Sequence, residues 1–363
     1  MGFSLRRHFN WPKAASRNLC LLRPFAGSWA EPRPSCLRCL LLIGLLLSPG
    51  AQARVLEVGP SRELPTPSAA ATIARNGDTV RIDPGEYLDC TIWRADGLTI
   101  EGAAAGVVLS DTACAGKALF VIAGNATTVR ELTITRLRVA DGNGAGIRLE
   151  GSGLTLERVR FVNNQVGVLT APSPDSHIRI IDSEFLDNGA CSDRGCVGAL
   201  VVGPAAELIV ERSIFQATHG GHHIVSAADD TFLRSNHIAD GADGTAGYAV
   251  QYVGDGSLRM QDNMLDKGPH TGNLRAEVLA GGYDWGGAHI IEMRRNTYLD
   301  HSGASVPLLL NWTEASPILD HNNLLPGTPE TSSSGVWLHR LRLVVVTTKD
   351  QLRHLAGLIL HAL

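Results

Sequence analysis

Large aromatic side chains are scarce in this chain of 363 residues, where phenylalanine, tryptophan and tyrosine together make up 5%. That scarcity leaves a core built from Val, Ile and Leu. Apolar runs long enough to cross a bilayer are missing as well. The run over residues 40–47 is eight residues long, against the ~20 that a membrane-spanning helix requires. Charged residues are few, at 19%, and sum to −4. No basic excess exists to draw nucleic acid or an anionic membrane as partner. What the chain does have is glycine, 39 copies, which suits many tight turns between short strands.

Residues 1–53 carry seven basic side chains against the single acid Glu31. The apolar run follows, and Ser48-Pro-Gly-Ala51-Gln-Ala53 then supplies a turn and an Ala-x-Ala cleavage site. This order predicts a secretory signal peptide over residues 1–53 and a periplasmic or extracellular protein with no stable membrane span once it is removed; a retained anchor is the alternative. Its removal takes the totals from 32 basic and 36 acidic residues to 25 and 35, a net charge of −10. A polyanion then binds only where a local basic strip, or a divalent cation such as calcium, reverses the sign. Cys20, Cys36 and Cys39 leave with the leader. The four remaining cysteines form two local pairs, Cys90 with Cys114 and Cys191 with Cys196, and an oxidising location predicts disulfides there. Zinc is the alternative, but Cys-x4-Cys without a second clustered pair is a poor ligand pattern.

One short pattern is written five times between Leu154 and Asp266. Its copies are Leu154-Thr-Leu-Glu-Arg-Val-Arg-Phe161, Ile178-Arg-Ile-Ile-Asp-Ser-Glu-Phe185, Leu208-Ile-Val-Glu-Arg-Ser-Ile-Phe215, Thr231-Phe-Leu-Arg-Ser-Asn-His-Ile238 and Ser257-Leu-Arg-Met-Gln-Asp-Asn-Met264. The closing apolar residue recurs after 24, 30, 23 and 26 residues. A period in this range with strand-like alternation predicts a coiled array of strands, each turn covering its neighbour. About ten turns at ~4.8 Å give a stack on the order of 45 Å long. Aligning copies on the closing residue puts Val201, Ile224 and Val250 in one interior column. The same alignment stacks Ala199, His222 and Tyr248, sets Asp229 against Asp255, and brings Asn163, Asn188, Asn236, Asn263 and Asn296 close enough for their amides to bond.

Before the coils, Thr66 is an N-cap, Pro67 a first helical residue and Gly77 a stop, predicting a short helix that covers the open apolar end. Residues 54–78 are read as lead-in and cap, 79–326 as the coiled array, and 327–363 as a loop followed by a strand and helix. In that last part, Leu352, Leu355, Ala356, Ile359 and Leu360 fall on one face after the capping box Thr348-Lys-Asp-Gln351, an amphipathic helix. Thr66-Pro-Ser-Ala-Ala, Gly77-Asp-Thr-Val-Arg-Ile82 and Pro84-Gly-Glu-Tyr87, followed by coils, resemble the opening of right-handed parallel β-helix proteins of the pectate-lyase-like class. The resemblance covers residues 66 to 325. It implies an all-β fold and, for many members, work on extracellular polysaccharide as lyases, hydrolases or epimerases.

The polar stretch from 219 to 301 supplies the candidates for chemistry. His222, His223, Tyr252 and Arg275 are candidate catalytic groups: a base would take the proton beside a uronate carboxylate, and the arginine would neutralise the enolate. Adjacent residues on a strand face opposite sides, so one site is not expected to use both His222 and His223. Asp229 and Asp255 are candidate calcium ligands, although aspartate in Gly-rich turns commonly bonds its own backbone. Tyr248, Tyr283, Asp284 and Trp285 are candidate sugar contacts, because an aromatic plate beside a carboxylate suits a pyranose ring. Motifs of the enzyme families fail to match. Asp229-Asp230 follows His219-Gly220 in the order opposite to that of polygalacturonases, Tyr298-Leu-Asp300-His301 matches the pectate-lyase Trp-Ile-Asp-His only loosely, and no Tyr-Gly-x-Asp-Pro-His occurs. The sequence therefore predicts an exported β-helix that binds or processes a polysaccharide, a uronic-acid polymer foremost. Its alternative is a noncatalytic envelope or surface scaffold.

Overall fold

Alternating apolar residues over three to five positions make short strands, and in this chain they stack without reversing. The structure, a computed structural model, describes residues 53–193, 195–281, 288–325 and 328–331. The described residues form a right-handed parallel β-solenoid of about ten turns with three walls. The first wall runs from Val55–Val58 through Thr79–Ile82 and Leu154–Glu157 to Ile318–Asp320. A ten-stranded second wall runs from Gly85–Tyr87 to Asn323–Leu324. The third begins at Thr91–Trp93 and Ala118–Ile122 and ends at Leu309–Asn311. Two long strands, Leu200–Glu211 and Ile224–Arg234, pass round the corner and join the first and third walls into one 18-stranded sheet. The stack starts at Val55, which pairs with Thr79, one strand before residue 79.

The second wall shows why the repeat was visible. Phe161, Phe185, Phe215 and Ile238 are in register, and the three phenyl rings stack with centroids 4.8 and 4.5 Å apart. The next member is Leu265 and not Met264, which is 38% exposed, and Tyr298 follows it. On the third wall the interior column is Leu200, Ile224 and Val250, with Val201 facing out beside Val225. The cause is an extra residue between Val202 and Ala205, where the ladder to the next coil slips.

Between the first and second walls the chain turns in two residues, again and again. Arg158, Asp182, Arg212, Ser235, Asp262, Arg295 and His321 hold the first position, all in the left-handed region with φ between 48° and 56°. The second position points inward and bonds along the axis. Asn236 Nδ2 donates to Asn263 Oδ1 at 3.0 Å, Asn263 Nδ2 to Asn296 Oδ1 at 2.9 Å, and Asn296 Nδ2 to Asn322 Oδ1 at 3.1 Å. Ser183 and Ser213 extend the ladder, accepting the N–H of Val159 and Ser183. The turn's buried amides are thus satisfied by side chains of the coil above. Asn188 belongs to a second ladder at another corner, where its partner is Asn164 and not Asn163.

The helix Pro67–Ala71 forms as expected, with Thr66 Oγ1 accepting from Ala69 N at 3.3 Å. Both disulfides are present, Cys90–Cys114 and Cys191–Cys196, the second closing an antiparallel hairpin, Ala190–Ser192 with Gly195–Val197. Outward-facing charges alternate up the first wall: Glu101 takes Arg81 and Arg130, and Glu211 takes Arg179 and Arg234. The predicted signal peptide and the C-terminal amphipathic helix lie outside the described residues.

Candidate functional site

The corner between the second and third walls breaks the regularity. Its connections run from three residues after Val162 to ten after Ala239, ten after Lys267 and thirteen, hairpin included, after Leu186, against two for most turns at the neighbouring corner. Loops of varying length on a rigid frame are where binding and catalytic groups are usually carried. Here they interlock. Gly247 N donates to Gly221 O at 2.7 Å, Gly272 N to Ala246 O at 2.9 Å, and Thr245 N to Thr218 O at 2.9 Å. Exposed polar groups therefore sit on a strip whose backbone is already fixed. They include His219 beside Asp187, Arg275, and His301, whose Nδ1 lies 2.8 Å from Asp266 Oδ1.

Behind the strip lies a buried polar corner. His223, Asp240, Lys267 and Glu277 are all at most 4% exposed. His223 Nε2 is 2.9 Å from Asp240 Oδ1 and its Nδ1 2.7 Å from Thr218 Oγ1, while Asp240 Oδ2 accepts Gly268 N at 3.0 Å. Lys267 Nζ donates to Glu277 Oε2 at 3.0 Å and to Gly247 O at 3.2 Å. Three consecutive corner loops are tied together by these bonds. Burial opposes the charge on Asp240, yet the hydrogen bonds from His223 and Gly268 hold its carboxyl below the usual range. Glu277 goes the other way: burial outweighs the ammonium of Lys267 and pushes its carboxyl up to about 7. Sequence reasoning placed His223 among catalytic groups and gave Asp240, Lys267 and Glu277 no role. Their sidedness follows only from a bend in the backbone that turns consecutive residues inward.

The expected column of Ala199, His222 and Tyr248 holds in part. His222 and Tyr248 do adjoin, with ring centroids 4.9 Å apart, and Tyr248 N donates to His222 Nδ1 at 3.1 Å. Ala199 stands one place along, beside His223, as the pair Leu200 and Ile224 requires. Burial, with the nearby charges of His223 and Lys267, lowers the His222 imidazole to about 4, so it is neutral at pH 7. Its Nδ1 lone pair is engaged by the Tyr248 amide, which leaves Nε2 as a hydrogen-bond donor, and the Gln251 side chain is a hydrogen-bond partner of the ring. Tyr248 joins a small apolar cluster outside the third wall with Ala276, Leu279 and Leu310, against which Trp312 packs.

Tyr252 lies elsewhere. Its ring is fully buried in the interior, its hydroxyl donates to Asp229 O at 2.6 Å and accepts Gly256 N at 3.1 Å, and burial raises its pKa. A proton acceptor at Tyr252 or His223 does not fit this geometry, since neither reaches solvent. Asp229, within the strand Ile224–Arg234 where it rounds the corner between the third and first walls, and Asp255, in the bend at the same corner, are exposed. The pairing of Asp230 with Ser257 sets Asp229 beside Gly256, not Asp255. Among the described residues no three His, Cys, Asp or Glu side chains gather to hold a metal. Arg275 is exposed, its backbone N–H fixed by Asn273 Oδ1. Tyr283, Asp284 and Trp285 lie outside the described residues.

No protein-family model matches the chain, and no curated protein matches it in sequence. Solved structures do. A tailspike protein of an Acinetobacter phage is similar with a TM-score of 0.53 and 12% identity, over 77% of this chain and 60% of that one. An alginate lyase from Paenibacillus gives a TM-score of 0.49 at 12% identity, over 78% and 99% of the two chains. Pectate lyase Pel9A gives 0.40 at 13%, over 78% and 83%. The chain spans only 57% of a Geobacillus virus protein it also resembles, and 60% of the tailspike. At these identities the likeness shows the parallel β-helix fold and nothing finer.

Proposed function

We propose that this chain is an exported β-helix protein that binds an extracellular polysaccharide along the second-to-third corner and the adjoining outer face of the third wall. The observation that carries the reading is the interlocked corner itself. It presents imidazole, guanidinium and carboxylate groups on a frame that needs little reordering on binding. His222, as a neutral donor, and Arg275, as an exposed cation, make the polar contacts to the chain of sugars. Disulfides fit an oxidising, exported location, and no helix among the described residues is long and apolar enough to cross a membrane. For the processing version, a lyase or epimerase acting on a uronate polymer, His301 is the better-placed base. Asp266 fixes its Nδ1 and leaves Nε2 toward solvent. Asp229 and Asp255, exposed at the corner between the third and first walls, are the residues that would hold calcium, which would supply positive charge for an anionic polymer.

A glycan array probed with the full chain, followed by absorbance of unsaturated products on alginate, pectate, polygalacturonate and glycosaminoglycans, tests both versions. Binding that falls in His222→Ala and Arg275→Ala supports the reading. Absence of binding to any polysaccharide overturns it, and absence of product with and without calcium removes the lyase. A noncatalytic scaffold is the second reading. It is favoured by the placement of Asp229 and Arg275 at different corners of the coil. It predicts that Ala at His222, Asp229 and Arg275 changes no assay.

A further inference from the structure

Among the described residues eight arginines lie within strands, and seven of them, Arg81, Arg130, Arg160, Arg179, Arg234, Arg259 and Arg294, form ion pairs with acidic neighbours. The eighth, Arg148, forms none. It stands in the outward column of the third wall, in register with Val121 below and Leu169 above, with Val201 and Val225 continuing the row. The parallel outward row is Ala118, Ala145 and Val166. Ile92, Leu169 and Val201 in these rows are only partly buried and pack on the buried Val121 and Val166. Arg148 Nε is itself buried and has no hydrogen-bond partner. The acid closest along its strand, Glu150, is held by Lys117 Nζ instead.

We infer that Arg148 is the carboxylate-recognition residue of a saccharide-binding strip on the outer face of the third wall, and that its ligand is a uronate ring. The inference rests on the polysaccharide reading above and names the substrate class. The enclosed, unpaired Nε costs stability, and the remainder of this half-buried side chain, which forms no ion pair, is what a ligand can reach. The planar guanidinium fork matches a carboxylate through two parallel hydrogen bonds. Ala118, Val121, Ala145 and Val166 are covered, and the half-buried Ile92, Leu169, Val201 and Val225 beside Arg148 offer the apolar surface that a pyranose C–H face covers, an apolar lining with one placed polar group. Charge complementarity selects the acid form of the sugar over its ester.

The test is titration calorimetry of the full chain with oligogalacturonate and oligomannuronate, each as free acid and as methyl ester. The wild type is expected to bind one free acid at least about 10-fold tighter than its ester. Arg148→Met should lower free-acid affinity about 10- to 100-fold, to the level of the ester, and Arg148→Lys should restore part of the loss. Thermal melting separates recognition from structure, since Arg148→Met should melt no lower than wild type once the orphaned N–H is gone. Equal free-acid binding by Arg148→Met, or wild-type binding that ignores esterification, overturns the assignment while leaving the polysaccharide reading intact. Absence of binding to any saccharide overturns both.

Discussion

Replacing Glu277 by glutamine should flatten the pH dependence of stability between about pH 5 and 8. The carboxyl is fully buried beside Lys267, with Asp240 and Asp300 adding negative potential from two neighbouring coils and the Tyr298 ring close by. Its folded pKa of about 7 lies above the ordinary carboxyl value of 4.5. Between those values the native state holds a proton that the unfolded chain has released. The stabilisation is therefore complete below about pH 4.5 and is lost as pH rises through 7. The difference, at about 1.4 kcal/mol per pH unit, is on the order of 3 kcal/mol. Glutamine keeps an oxygen for Lys267 Nζ and removes the ionisation. Urea unfolding of both proteins at half-unit intervals from pH 5 to 8 isolates the effect, because titrating groups remote from Glu277 cancel in the difference. The wild type should lose stability relative to Glu277→Gln across that window. Parallel curves would refute the claim that burial dominates this pair, and a wild type that gains with pH would reverse its sign.

Three further outcomes follow from the packing. Asn263→Ala removes bonds to Leu233 O and Asn296 Oδ1 and strands the Asn236 N–H. It should cost about 3 kcal/mol in chemical denaturation, more than a surface amide. Leu265→Ala should cost about 2–5 kcal/mol, whereas the neighbouring Met264→Ala, on the outer face, stays within about 0.5 kcal/mol; equal losses would put the register in error. Tyr252→Phe leaves Asp229 O and Gly256 N unpaired and should destabilise by about 1–2 kcal/mol. Its saccharide binding, measured by titration, should match wild type.

The walls were legible because a coiled strand array writes its interior columns directly as a repeat of bulky apolar residues, Phe161 to Phe185 to Phe215. The capping helix and both disulfide pairs were legible from local chemistry. Register was harder. Counting back from a closing residue assumes equal coil lengths, and the extra residue before Ala205 moved Val201 outward in favour of Leu200. Taking Met264 for Leu265 set Asp229 against Asp255, where the structure gives Gly256. The buried set of His223, Asp240, Lys267 and Glu277 was not legible, because strand alternation assigns His223 and Glu277 to the outside and only the corner bend turns them in. Arg148 was silent for a different reason. An arginine in a strand resembles its seven paired counterparts until the acids around it are placed.

The central claim is that the corner between the second and third walls is the binding surface. Hydrogen–deuterium exchange of the full chain with and without a saturating acidic oligosaccharide tests it most directly. Protection should appear in the loops over residues 217–223, 240–249 and 268–277 and in the strand Ala145–Leu149, while the two-residue turns at Asp262 and Arg295 exchange unchanged. Protection confined to the first wall or its turns, or no protection anywhere, would contradict the account.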